Sequence, residues 1–216
     1  MPRKTTAQDL SKRAFDAALE LASAGDWQSV TLLDIATAAD LSLSDFYGLV
    51  DKQTLVAAIQ PWADAAMAAD EIDPADSPRE RLFDVIMKRF EEMETKRTAV
   101  LSMLPGRPST PAEVRNLLRA RRKTADWALA CAGLDGHGRL EMAAMRLGVM
   151  HALRQTELAW REDDSGDFAR TMATLDAELL SIEERLSQLR RFFKPGRANA
   201  EAASPPEAPQ AEMGEA

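Results

Sequence analysis

Residues 30–52, "VTLLDIATAADLSLSDFYGLVDK", read as two short helices packed across a three-residue turn. Leu32, Ile35, Ala36 and Ala39 recur at helical spacing, and Leu41, Phe46 and Leu49 follow across Asp40-Leu41-Ser42. This is the pattern of a helix-turn-helix, whose second helix enters the major groove of DNA. Each helix carries its own start signal. Thr31 precedes Asp34, and Ser42 precedes Asp45, by the three residues of a capping box. Asp45 therefore has two readings, a cap that bonds back to the Ser42 amide or an acceptor from cytosine, and the cap is favoured.

Working outward, the pattern stays helical. "DLSKRAFDAALELASAG" (9–25) places Leu10, Phe15, Ala18, Leu19 and Ala22 on one side and stops at Gly25. A third helix is expected from Ser42 and a fourth from about Lys52 to Ala69. "DEIDPADSPRE" (70–80) interrupts the periodicity with two prolines and several acids. Beyond it, 79–97 repeats Leu82, Val85, Ile86, Phe90 and Met93 at helical spacing. A proline-rich loop at 104–111 and a helix over 111–133 follow, then a long helix over 139–160, a turn at 161–167 and a last helix over 167–191. In that helix Leu175, Leu179, Ile182, Leu186, Leu189 and Phe193 form a heptad-like stripe that calls for a partner helix. The expectation is an all-α chain: a helix-turn-helix DNA-binding domain at 1–57, a larger helical ligand-binding and dimerisation domain at 58–193, and a disordered tail rich in Pro, Ala and Glu at 194–216.

Composition narrows the chemistry. The chain has 216 residues, 45% hydrophobic and 29% charged, with a net charge of -8. Residues 1–60 hold 5 Lys/Arg against 8 Asp/Glu, so DNA binding has to rest on the placement of a few cations. No apolar run reaches the ~20 residues of a membrane span, and "MPRKTTAQDLSKR" lacks the apolar core of a secretory signal. The lone Cys131 fits a reducing, cytoplasmic setting and a buried small hydrophobe. His137 and His151 each lack a second ligand one turn away, and no catalytic constellation or phosphate loop is present. The expectation is a protein that is not an enzyme and takes no metal or cofactor.

"GDWQSVTLLDIATAADLSLSDFYGLVDKQTLVAAI" (25–59) resembles the DNA-binding domain of the TetR family of bacterial regulators. The resemblance is carried by Gly25, Val30-Thr31, Asp34-Ile35-Ala36, Ala39, Ser42, Tyr47, Lys52 and Leu55. It implies an all-α homodimer that binds palindromic operator DNA, commonly as a repressor, and is released by a small ligand in its larger domain. On that resemblance Tyr47 and Lys52 touch phosphates, Ser42, Leu43 and Ser44 face bases or backbone, and Thr31 opens the preceding helix against the DNA. The bland alternatives are a packed Tyr47 ring, a solvated Lys52 and a Ser42 that serves first as N-cap. Arg3 and Lys4 could form an arm reaching a groove or phosphates, or a solvated terminus. Asp40 stands where the family has a turn glycine, Leu43 and Gly48 where it favours cations, and Val50 where it favours an aromatic. The run from Tyr47 to Lys52 is also one residue short.

In the larger domain the methionines and tryptophans supply an adaptable lining for a small hydrophobic effector, with Met87, Met103, Trp127 and Met145 as candidate ligand contacts. The homodimer is expected through the last two helices, about 139–160 and 167–191. A second resemblance lies in "ELAWREDDSGDFARTMATLDAEL" (157–179), which looks like the C-terminal region of the COQ9 family, TetR-fold proteins of ubiquinone biosynthesis. Its carriers are Trp160, Asp163, Asp164, Ser165, Asp167, Thr171 and Leu175. It implies a lipid-binding accessory protein that docks on a membrane surface and does not read DNA. "LRRFFKPGR" (189–197) suits such a surface, and "RNLLRARRK" (115–123) is a further basic cluster whose plainer reading is a solvated helix face.

Overall fold

The computed structural model describes residues 6–104 and 110–193. Among these residues the chain is helical throughout, with no strand. Helix α1 (Ala7–Ala24) is closed at its start by a capping box between Thr6 and Asp9, and it buries Ala14, Phe15, Ala18, Leu19 and Ala22. Helix α2 (Leu32–Ala38) follows, then a single 3-10 turn (Leu43–Phe46) and α3 (Lys52–Ala65), which a second short 3-10 turn extends through Ala68.

Helix α4 (Pro78–Thr95) starts with Pro78 in its first turn and a Ser77–Glu80 capping box. Sequence periodicity anticipates this helix but not the next. Lys96, at φ −129 and ψ 32, breaks the ladder, and a separate α5 (Arg97–Met103) turns toward α1. Neither Gly nor Pro marks that break in the sequence. Helices α6 (Pro111–Cys131), α7 (Arg139–Arg161) and α8 (Ala169–Phe193) complete the chain. Residues 194–216, for which a disordered tail is expected, lie outside the described residues.

Helices α7 and α8 pack most closely with each other. Gly148 permits this, because a Cβ there would lie 2.7 Å from Ile182 Cγ1. One continuous apolar cluster runs from Ala14 on α1 to Ile182 on α8. Helix α3 passes through residue 57 without a break and so belongs to both ends of the molecule. Its far end is anchored by a buried polar hub. Arg89 is 3% exposed and donates from Nε to Asp64 Oδ1 at 2.8 Å and from Nη2 to Gln60 Oε1 at 2.7 Å. Asp64 Oδ2 accepts from Thr124 at 2.7 Å, and its carbonyl accepts from Trp127 Nε1 at 2.9 Å. α3, α4 and α6 are thereby pinned at one point, with the buried charge paired and hydrogen-bonded.

Candidate nucleic-acid interface

Two tandem N-caps build the helix-turn-helix. Thr31 Oγ1 accepts from the Asp34 amide at 3.2 Å, and the Thr31 amide donates to Asp34 Oδ2 at 2.8 Å. The same reciprocity recurs one helix later. The Ser42 amide donates to Asp45 Oδ2 at 3.0 Å, and Ser42 Oγ accepts from the Ser44 amide at 3.2 Å. Asp45 is therefore a capping residue. The Asp34 carboxyl is held below the usual range by the Thr31 hydroxyl and then the Thr31 amide.

The third helix expected from Ser42 is shorter than anticipated, a single 3-10 turn ending at Phe46. The reason is spacing. Ser42 and Asp51 are both N-caps, Phe46 and Val50 are both buried, and Gly48 at φ 75 reverses the chain between them. The left-handed Gly48 and the cap at Asp51 leave a single helical turn after Ser42. Gly48 is also the residue whose left-handed conformation a cationic side chain would strain. Asp40 takes a left-handed φ of 51 at the turn. Arg13 supports it, donating from Nη2 to the carbonyls of Ala39 at 2.6 Å and Asp40 at 2.9 Å.

Lys52, for which a phosphate contact is expected, is turned onto the protein in this structure. Its Nζ donates to the carbonyls of Trp27 at 2.6 Å, Val30 at 2.8 Å and Gln28 at 3.3 Å, and lies 4.5 Å from the Trp27 ring centroid. Three carbonyls take up all three ammonium donors. Lys52 thus ties the start of α3 to the loop before α2. Lys12 pairs with Asp16 at 3.3 Å. Every described cation of this unit is committed to the protein, and Arg3 and Lys4 lie outside the described residues.

What the unit turns outward is polar and apolar. Thr31, Ser42 and Ser44 are exposed, Leu43 is half exposed, and Tyr47 is 93% exposed, so its ring is not packed between helices. Sequence reasoning missed the roles of Arg13 and Lys52, because their acceptors are backbone carbonyls 22 to 27 residues away.

The four candidate effector contacts fall in different settings. Met87 lines a cavity of about 410 Å³ between α4 and the segment after α3, beside Met67, Phe83 and Met172. Met103 and Met145 are buried core side chains, and Trp127 is half exposed with its indole on Asp64. The 160–171 stretch forms a corner. Trp160 is fully buried and donates to Glu94 Oε2 at 2.7 Å under the Arg97 guanidinium. Asp163 is buried and accepts from Thr171 N at 2.8 Å and Thr171 Oγ1 at 2.6 Å, and from the Ser165 amide at 3.2 Å. Burial would raise its pKa, but these bonds outweigh it and hold the carboxyl well below the usual range. The residues that carry the COQ9 resemblance join α7 to α8. Cys131 is half-buried, and burial followed by the Asp64 charge pushes its thiol up.

Among solved structures, the chain is similar to a TetR transcriptional regulator from Nitrosomonas europaea ATCC 19718. Identity is 21%, the TM-score is 0.66, and the match covers 81% of this chain and 98% of that one. It is also similar to a TetR transcriptional regulator from Rhodococcus sp. RHA1, at 18% identity and a TM-score of 0.60 over 82% of this chain and 96% of that one. Neither a protein-family model nor a curated protein matches the sequence. At these identities the likeness establishes the fold, which is that of the TetR regulators.

Proposed function

We propose that this TetR-fold chain is a transcriptional repressor that binds operator DNA as a homodimer and releases it when a small hydrophobic effector occupies the larger unit. The observation that carries this reading is the outward rim of the helix-turn-helix: Thr31, Ser42, Leu43, Ser44 and Tyr47, exposed around two capped helix starts. Hydroxyls and a solvent-held aromatic ring are suited to phosphate and base contact without a lysine. Lys52 and Arg13 act as positioning residues that keep the rim in shape. Charge for the phosphates comes from the arm at Arg3 and Lys4. The homodimer forms through α7 and α8, whose outer faces carry Leu147 at 66% exposure and Leu180 at 44%. The effector enters the cavity beside Met87. The setting is cytoplasmic, and the chemistry is binding and not catalysis.

The experiment is a salt-dependent binding assay with DNA flanking the gene of this protein. A specific complex is expected whose affinity falls with salt and is lost in Tyr47→Ala. One observation favours a second reading, the commitment of every described cation of the helix-turn-helix unit. It fits a TetR-fold accessory protein that binds lipid and has given up DNA. Absence of any specific complex at low salt, together with binding to anionic liposomes, would replace the first reading by the second.

A further inference from the structure

The first turns of α6, termed its overhang, are mostly exposed. Val114 and Leu118 are 42% and 51% exposed, yet they share a helix face with the buried Ala125 and Leu129. The core stripe of α6 therefore continues into first turns whose apolar side chains are half exposed. Beside it Arg115 and Arg119, one turn apart, are exposed and without a counter-ion among the described residues.

A complementary surface lies elsewhere on the same chain. Between α4 and α8 runs an open groove of about 520 Å³ with Phe83, Met172 and Ala173 among its lining and Asp76, Asp84 and Asp176 along it. Asp176 is taken by Arg79 at 2.8 Å, while Asp76 and Asp84 have no counter-ion among the described residues. Apolar floor and free acids match apolar stripe and free arginines. The match cannot be made within one chain. Arg121–Glu157 at 2.9 Å and Thr124–Asp64 at 2.7 Å fix α6, and a continuous helix does not fold back on its own groove.

A second copy can make it. Arg121 meets α7 near its C-terminus and the groove uses α8 near its N-terminus, and the 161–169 corner joins those two ends. Overhang and groove therefore sit at one end of the α7–α8 pair. We propose that, in the homodimer, the overhang of each α6 lies in the α4–α8 groove of the other copy. Val114 and Leu118 rest on Phe83 and Met172, and Arg115 and Arg119 face Asp76 and Asp84. A twofold axis makes the contact twice. The exchange deepens the homodimer of the proposed function and rests on it. It also makes the partner's helix a wall of the effector cavity, which shares Asp76, Phe83, Asp84 and Met172 with the groove.

Charge reversal in the full chain tests this by sedimentation equilibrium. R115E/R119E and D76R/D84R should each raise the dimer dissociation constant at least tenfold, with unchanged helix content by circular dichroism. In a mixture of the two variants each arm again meets an opposite charge, so a heterodimer of wild-type affinity is expected. Either reversal leaving dimerisation unchanged, or no recovery on mixing, overturns the exchange. Leu147→Glu separates the two ideas. If it dissociates the dimer while the reversals do not, the α7–α8 interface stands and the exchange falls. A wild-type chain that stays monomeric at all concentrations overturns both.

Discussion

The cations of the helix-turn-helix unit and those of α6 are used in opposite ways. Arg13 and Lys52 turn inward and end on backbone carbonyls, where they hold a turn and a loop in place. Arg115 and Arg119 are exposed on α6 and have no counter-ion among the described residues. The number of basic residues in a helix-turn-helix is therefore no measure of the charge it offers a partner. What matters is whether an acceptor inside the protein has already claimed it.

The largest expected effect sets the scale for that contrast. Asp64→Ala leaves the Arg89 guanidinium buried without its carboxylate and should cost about 3–5 kcal/mol, read as a drop in the urea midpoint. Lys52→Met removes three charge-assisted bonds and the ring contact, and should cost about 2–3 kcal/mol with circular dichroism reporting the melt. If Lys52→Met melts like the wild type, its inward role is wrong and the phosphate role returns. Asp163 gives a pH signature away from the helix-turn-helix. Its folded pKa is depressed, so its contribution is complete above the ordinary carboxylate range and is lost as pH falls toward the folded value. Acid melting curves of Asp163→Asn should lose that part of the slope. Smallest is R115A/R119A, expected to shift the stability of the monomer, melted at concentrations below the dimer dissociation constant, by about 0.5 kcal/mol or less. A loss matching that of Lys52→Met would erase the contrast between the two regions.

Much of this molecule is legible in the sequence, because helices announce themselves locally. The stripes that place Phe15 and Leu19, or Leu82 and Ile86, in the core are periodic, and the caps at Thr31 and Ser42 lie within three residues of their partners. The break at Lys96 has no local marker, so α5 is invisible without the fold. The length of the Leu43–Phe46 turn depends on two buried anchors and a left-handed glycine acting together, and periodicity does not register such a combination. The fate of Lys52 depends on acceptors at Trp27 and Val30, brought close only by the packing of α1, α2 and α3. The stretch that resembles COQ9 was visible as a motif, but its work at the corner between α7 and α8 appears only once Asp163 is seen under Thr171.

Helix α3 is gripped by a cation at each end. Lys52 binds its first turn to the Trp27–Val30 loop, and Arg89 binds its last turns to α4. Both grips fall within one helix of 14 residues, and Lys52 and Asp64 are about 18 Å apart along its axis at the helical rise. A displacement of α4 at Arg89 would therefore bear on the same helix that fixes the loop leading into α2.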